Sequence, residues 1–261
     1  PDINLQKKPG TDIPWYKMFD FSKLKWTDDD PEFQKKIKVG TYIQLASLFF
    51  GNLFYSLEAS GMGYLTINPF ESSVSDNASR LGINKNRFME IINSSIRILG
   101  HKHKYSPNDF DNRWPLDIQD YNTFPSKFRK YIKKVAFFHN IDEELLGDSV
   151  LETLSSQNAL NNKGVNIPKL YIKVTSKNDP VWVSDNGGRP HLHRSGGVCT
   201  QYPEKKLLPE EPTSTCEEYW NTNYLSYHSA IKKRDPIRLH SEELTGQTDD
   251  QFERQRHFRD I

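Results

Sequence analysis

The sequence predicts an α+β protein, with a mainly helical N-terminal part and a smaller, irregular C-terminal part that contains strands. Two observations support this fold class. Apolar residues recur three and four positions apart at Phe88, Ile91 and Ile92, a spacing that places them on one face of a helix. In residues 170–174 and 181–183 apolar and polar residues alternate, which favours strands.

Composition divides the chain into four regions. Residues 1–32 combine Pro, Asp and Lys with several aromatic residues, and they predict an extended arm whose aromatic side chains dock on a neighbouring surface. Residues 33–155 predict a helical domain. Residues 156–246 predict a region of strands and loops, and residues 247–261 a charged tail.

The strongest single helix prediction covers residues 33–58. No charged side chain occurs between Lys38 and Glu58, so the run approaches the length of a membrane span. Its Gly, Thr, Gln, Asn and Ser residues form a polar face, which makes membrane insertion unfavourable. We therefore expect a helix buried in the domain or at an interface. The arm and helix 39–57 are the candidate surface for a homo-oligomer.

Residues 59–73 contain glycines and a proline and predict a loop. Residues 74–93 then predict two short helices joined by a tight turn. Ala78 and Leu81 share one helical face, and Gly82 tolerates the positive φ of a turn. Asn84 is the predicted N-cap of the second helix, which carries the apolar stripe described above.

This arrangement resembles the helix-turn-helix of DNA-binding proteins over about twenty residues. The resemblance implies that Lys85, Asn86 and Arg87, and with them Glu90, lie on the solvent side of the second helix and read DNA bases. Asn77 departs from the pattern, because such helices usually carry a buried aliphatic residue there. An ordinary corner between two helices has the same features, so both interpretations stay open.

Further elements follow from the same rules. The second helix of the corner is predicted to continue to about Leu99 and to end at Gly100. Residues 126–139 predict an amphipathic helix. Residues 141–154 predict another helix, with Asn140 as its cap, and residues 216–233 a last one.

Two windows carry an excess of basic side chains. Residues 78–105 hold six Lys and Arg against one Glu, and residues 125–138 hold five Lys and Arg and no acid, so each window has a net charge of +5. Interspersed cations and aromatics suit phosphate contacts and base stacking, although the aromatics could instead face the core. The candidate nucleic-acid-binding residues are Lys85, Asn86, Arg87, Arg97, Lys102, Lys104, Lys127, Arg129, Lys130, Lys133 and Lys134.

A second candidate site lies in the glycine-rich segment around His191 and His193. On a strand, residues two apart point to the same face, so both imidazoles could reach one divalent metal, with Cys199 as a third ligand. The flanking Arg189 and Arg194 disfavour a cation, and glycine amides with two arginines could hold an oxyanion instead. A glycine-rich loop with partly exposed histidines is the remaining interpretation.

The 261 residues have a net charge of +1, so a nucleic-acid surface must be a local patch. The sequence contains no Walker loop, no Gly-x-Ser-x-Gly and no His-Glu-x-x-His, which makes an enzyme less expected. We therefore predict a nucleic-acid-binding protein that uses a basic helical surface. One alternative is a structural or assembly protein, such as a viral coat or nucleoprotein subunit. The second is a metal-dependent enzyme built around His191 and His193.

Residues 1–30 contain no secretory signal, so an intracellular or virion location is expected rather than secretion, and a membrane partner is not expected. Cys199 and Cys216 are the only cysteines and could be one disulfide or two free thiols. The sequence alone does not distinguish DNA from RNA as the partner.

Overall fold

The computed structural model describes residues 7–27, 29–50, 56–102, 120–161, 164–184, 188–205 and 207–233. Within these ranges it has seven α-helices and eight short strands, which confirms the α+β class. The helices are α1 (Pro31–Phe50), α2 (Ser72–Arg80), α3 (Lys85–Lys102), α4 (Ser126–His139), α5 (Glu143–Ser156), α6 (Cys216–Thr222) and α7 (Tyr224–Ser226). The strands are β1 (Phe19–Asp20), β2 (Lys25–Trp26), β3 (Gly63–Thr66), β4 (Leu160–Asn161), β5 (Gly164–Val165), β6 (Tyr171–Val174), β7 (Pro180–Val181) and β8 (Ser214–Thr215).

The N-terminal arm (residues 7–27) folds back on α1 instead of extending away. It forms the β1–β2 hairpin, and Trp15 and Trp26 lie with ring centroids 6.3 Å apart. Both rings pack against Phe33 and Ile37, which are buried residues of α1. The arm thus has a small aromatic core of its own, and the surface on which it docks belongs to its own chain.

Helix α3 lies at the centre of the main core. α1, α2, α4, α5, β3 and β5 all contact it, and the predicted stripe of Phe88, Ile91 and Ile92 is buried. The prediction that Gly100 ends this helix is wrong, because α3 continues to Lys102. A Cβ atom at Gly100 would overlap the Phe50 ring, so this glycine permits the close approach of α1 and α3.

The turn between α2 and α3 has the local geometry that the sequence predicts. Gly82 has a φ of +67°, and the Asn84 side chain accepts the Arg87 N–H at 2.7 Å, as an N-cap does. The buried Asn77 donates to the Thr153 hydroxyl at 3.0 Å. The polar residue at the unusual position is therefore satisfied inside the fold, where it joins α2 to α5.

Helix α4 has the predicted bounds, but the cap of the next helix was misplaced. Asn140 has a φ of +55° and ends α4 in the left-handed conformation that asparagine tolerates. Asp142 caps α5 instead, because its carboxylate accepts the Leu145 N–H at 2.8 Å.

Packing crosses the boundary predicted between residues 155 and 156. Leu160, Val165 and Val198 belong to the same buried cluster as α2, α3, α4 and α5. β6 lies in the predicted strand segment 170–174, and β7 overlaps the predicted segment 181–183 at Val181. β3 lies in the predicted loop 59–73 and pairs antiparallel with β6, so the loop prediction was wrong there.

The four sheets formed by the described residues each have two strands. Part of the predicted helix 33–58, residues 51–55, lies outside the described residues, as does the predicted tail 247–261. In the ranges that are described, no helix combines the length and the apolar character needed to cross a membrane.

The contact at Gly100 gives a test of the α1–α3 packing. A Gly→Ala change inside a helix usually stabilises by about 1 kcal/mol. We expect Gly100→Ala to destabilise instead, by about 1–3 kcal/mol, because the new methyl group meets the Phe50 ring. Urea unfolding midpoints measure the change. Asn86→Ala, on the exposed first turn of the same helix, is the control and should leave the midpoint nearly unchanged.

Candidate nucleic-acid interface

Helix α4 separates an apolar face from a basic one. Phe128 and Ile132 point into the core, whereas Arg129, Lys130 and Lys133 are exposed. The helix therefore presents a row of cations to solvent, as its charge pattern predicts.

The aromatic residues of the same segment divide between the two faces. Phe124, Phe128 and Tyr131 are buried in the core, but Phe137 and Phe138 are exposed. The Lys134 ammonium lies 5.8 Å from the centroid of the Phe137 ring. Only the C-terminal pair of α4 aromatics is thus accessible to a base, and Lys134 already lies over one of them.

The first turn of α4 is basic, as is that of α3. No side chain caps it, it contains no acid, and it carries Lys127 and Arg129. The partial positive charge of a helix N-terminus disfavours cations and favours anions. α5 begins with Glu143 and Glu144 and α6 with acids in its first turn, which is the stabilising arrangement. The N-terminus of α4 therefore produces a positive potential at some cost in stability, and its backbone N–H groups suit a phosphate.

A groove of about 540 Å³ opens at this helix end. Residues 201–205 form its other wall. We call it the basic groove; its polar and aromatic lining consists of Ser126, Lys127, Lys130, Gln201, Tyr202, Glu204 and Lys205. Its one acid, Glu204, lies 2.9 Å from the Lys130 ammonium, and both side chains are about half exposed. Such a pair contributes about 0–1 kcal/mol, so a phosphate could replace the carboxylate at little cost.

A smaller cavity of about 140 Å³ adjoins the groove, because Lys127 and Gln201 line both. We call it the basic cavity; its polar lining consists of Arg97, His101, Lys127, Arg189, Thr200 and Gln201.

Arg97 forms one wall of this cavity and also has a structural role. Its Nη1 donates to Glu58 at 2.8 Å and to the Pro190 carbonyl at 3.1 Å. Only 13% of the Arg97 side chain is exposed, and burial raises the pKa of Glu58 although the Arg97 charge opposes this. The sequence predicted Arg97 as a surface contact, but it is a largely buried member of an ion pair.

The predicted contacts on α3 lie elsewhere. Arg87 lies within 3.9 Å of Glu90 and beside His139, at the end of α4 opposite the groove. Lys127 and His139 are twelve positions apart, which corresponds to about 18 Å along the helix. Lys85 lies over the Phe70 ring at 5.8 Å, and Asn86 is exposed.

Only the first turn of this helix reaches the surface, since the residues that follow are mostly buried. A recognition helix usually presents several turns to the major groove. Lys102 is the last residue of α3, and Lys104 lies outside the described residues.

His191 and His193 are both buried and both bonded within the fold. Thr200 donates its backbone N–H to His191 Nε2 at 3.1 Å, and Ser195 donates its own to His193 Nδ1 at 3.1 Å. Burial and the Arg97 charge lower both pKa values, that of His193 to about 3. The lone pair that each ring would offer a metal is thus already an acceptor.

The described residues contain no group of three or more His, Cys, Asp or Glu side chains that could hold a metal ion. The metal site stays a sequence prediction. Cys199 and Cys216 are both buried free thiols, not a disulfide.

The two arginines that could hold an oxyanion lie in different surroundings. Arg189 lines the basic cavity, whereas Arg194 lies against the Pro209 carbonyl, 3.4 Å away, and Glu210, 3.5 Å away. The sequence interpretation missed Tyr202 and Lys205. The signal was present, because residues 202–206 repeat the mixture of aromatic and basic residues on a shorter scale.

Comparison with known proteins returned no match to a protein-family model, a curated protein or a solved structure. The function is therefore inferred from the geometry and charge of the site, since a fold by itself does not specify an activity.

The buried histidines predict an acid sensitivity. His193 is neutral in the folded protein, with a pKa of about 3, and regains its usual pKa of 6.5 on unfolding. Its contribution to stability is complete above pH 6.5 and is lost as the pH falls towards 3. We expect it to account for about 3 kcal/mol of lost stability between pH 7 and pH 4.

Urea unfolding of the unaltered chain and of His193→Asn at both pH values measures this contribution, because asparagine keeps an acceptor but does not titrate. The loss between pH 7 and pH 4 should be smaller in the variant. An equal loss in the two proteins would contradict the assignment.

Proposed function

We propose that the chain binds single-stranded nucleic acid along the basic groove, by neutralising phosphates with limited recognition of bases. The observation that carries the proposal is the groove beside the uncapped first turn of α4, which Lys127, Lys130 and Lys205 line. Cations at that helix end cost folding energy and raise the affinity for a polyanion.

The shape of the site favours a single strand. Tyr202 lies in the groove and is 47% exposed, so its ring is accessible to an unpaired base. Stacking on one aromatic ring contributes about 1–3 kcal/mol per base and tolerates any base. Lys127, Lys130 and Lys205 line a groove, which suits a flexible strand better than a duplex.

Base recognition by Lys85, Asn86 and Arg87 stays a prediction from the helix-turn-helix resemblance. Those residues could contribute only through the first turn of α3, about 18 Å along α4 from the groove.

The proposal predicts a steep salt dependence. For single strands, log Kobs falls with log salt by about 0.7 for each phosphate contact. Replacing Lys130 and Lys205 together by glutamine should weaken binding and make the slope shallower by about 1.4. Fluorescence anisotropy with a labelled oligonucleotide at several salt concentrations measures both quantities.

A charge-matched control uses two lysines of the N-terminal arm. Lys7 and Lys23 are exposed and lie near aspartates, at 2.9 and 3.5 Å. Lys7→Gln with Lys23→Gln removes the same charge and should leave the slope unchanged. Binding that does not respond to salt, or equal losses in the two double variants, would contradict the proposal.

A second function, self-assembly through the arm, is supported by a separate observation. Phe21 and Leu24 at the tip of the β1–β2 hairpin are 60% and 78% exposed. Leu24 also has a φ of +51°, which is unfavourable for a bulky residue. Ile43 and Leu48 on α1 are exposed as well, so the arm and α1 together offer apolar surface that a second copy could cover.

If the chain assembles through the arm, its molecular mass in solution should depend on these side chains. We expect light scattering at tens of micromolar protein to give a dimer or larger species. Phe21→Ser with Leu24→Ser should give a monomer, because it removes the apolar tip. Phe70→Ser, which alters an exposed aromatic residue outside the arm, should not change the size. A monomer at every concentration of the unaltered chain would exclude this function.

A further inference from the structure

Strand β6 (Tyr171–Val174) has one paired edge and one free edge. Among the described strands only β3 pairs with it, and Leu65 lies opposite Ile172 in that pair. All four residues of β6 are exposed to solvent. The free edge of such a strand presents N–H and C=O groups that can pair with a further strand. This edge is therefore a candidate surface for an extended chain.

The hydrogen bonds to β3 show which backbone groups of β6 point outward. In an antiparallel pair, hydrogen-bonded and non-hydrogen-bonded positions alternate. Thr175 continues the register of the pair and donates its N–H to the Met62 carbonyl at 3.2 Å. The backbone groups of Lys173, two residues earlier, therefore also point to β3, whereas those of Ile172 and Val174 point away from it. The free edge thus offers the N–H and C=O groups of these last two residues.

The side chains beside this edge form an apolar ledge, which consists of Ile172 and Val174. They are 49% and 67% exposed. Leu65, which lies opposite Ile172 and shares its face of the sheet, is buried. The core-side face of the sheet therefore continues past the core. A strand added to the edge would cover the ledge and remove apolar surface from water.

The segment around β6 is basic. Residues 166–178 contain Lys169, Lys173 and Lys177 and no Asp or Glu. All three lysines are exposed, and none of them forms an ion pair in the described part of the chain. A negatively charged partner would therefore gain up to three favourable contacts along one edge.

Two neighbouring acids are already hydrogen-bonded within the fold. Asp179 accepts the Ser176 N–H at 2.8 Å. Glu71, which lines a groove together with Lys169, accepts the Asn68 side-chain amide at 3.1 Å. The three lysines thus stay available to a partner.

These features favour a peptide over a nucleic acid and over a second copy of the chain. Phosphates could neutralise the lysines, but a nucleic acid has no peptide backbone to pair with the strand edge. A second copy of β6 would bring the same three lysines to the edge, and lysines on edge strands oppose such pairing. An extended acidic peptide satisfies both the backbone groups and the cations.

We propose that β6 binds an extended, acidic segment of a partner protein by strand addition. The backbone of the segment pairs with Ile172 and Val174, and its apolar side chains cover the ledge. Its carboxylates lie beside Lys169, Lys173 and Lys177. The surface shares no residue with the lining of the basic groove, so this inference does not depend on the proposed function.

The probe is a labelled peptide of alternating Val and Glu, about twelve residues long, because alternation places Val on one face of a strand and Glu on the other. Fluorescence anisotropy should show saturable binding to the unaltered chain. A peptide with Lys in place of Glu should not bind. A third peptide, with Pro in place of every second Val, keeps the charge but loses N–H donors, and it should bind about tenfold more weakly.

Amide hydrogen exchange measured by NMR locates the bound peptide. The amides of Ile172 and Val174 should exchange quickly in the free chain and slowly with the Val–Glu peptide. The Lys173 amide, which is paired with β3, should exchange slowly in both states. Binding that leaves Ile172 and Val174 unprotected would overturn the inference, because the peptide would then lie elsewhere.

Two variants test the edge and its charge separately. Val174→Pro removes an outward N–H and no bond to β3, a position where an edge strand tolerates proline, and it should weaken peptide binding about tenfold. Lys173→Glu should weaken it about fivefold. Lys133→Glu, on the exposed face of α4, is the matched control for charge and should leave the affinity unchanged. If Val174→Pro does not fold, Lys173→Glu and the exchange measurement decide.

Two further results would contradict the proposal. Equal affinities of the acidic and the basic peptide, or of the unaltered chain and Lys173→Glu, would show that charge does not select the partner. A smaller mass of Val174→Pro than of the unaltered chain, measured by light scattering, would show that a second copy already covers the edge.

Discussion

A polar stripe on α3 holds residues 188–201 against the helix core, and the candidate site depends on it. The stripe consists of Glu90, Ser94, Arg97 and His101. Spacings of four, three and four residues place these side chains on one helical face. The first three bond the Gly196 N–H at 3.3 Å, the Ser195 hydroxyl at 2.6 Å and the Pro190 carbonyl at 3.1 Å. Because α1, α2, α4 and α5 pack against α3, residues 188–201 on its polar face are held in place as well.

Residues 188–201 include a residue with a strained backbone conformation. Ser195 has a φ of +57° although it is not a glycine, a conformation that costs about 1–2 kcal/mol. Its neighbours compensate, since Tyr131 donates to its carbonyl at 3.0 Å and His193 accepts its N–H at 3.1 Å. The strained turn therefore persists because several hydrogen bonds determine it, and it sets the course of the chain from Arg189 towards Lys205.

Sequence periodicity predicted the features that depend on residues close together in the sequence. The bounds of α4, the cap at Asn84 and the strand β6 depend on neighbours a few residues away, and all were predicted correctly. Contacts between distant residues were not predictable. Arg97 and Glu58 are 39 residues apart, and Gly100 meets an aromatic ring of another helix. The same limit explains why the basic windows could mark α4 as a candidate, while the groove opposite it and the cavity behind it needed the structure.

The whole chain has a net charge of only +1. A local excess of basic side chains at α4 is therefore more informative than it would be in a strongly basic protein. α2 and α3 also begin without an acid, but an acid at the start of α4 would be stabilising, as it is in α5 and α6. The chain instead places Lys127 and Arg129 there and leaves the helix end without a side-chain cap. Residues 188–205, held by the polar stripe, then bring further cations to the same place. Two independent segments thus add positive charge to one concave surface, at an energetic cost that an anionic ligand would offset.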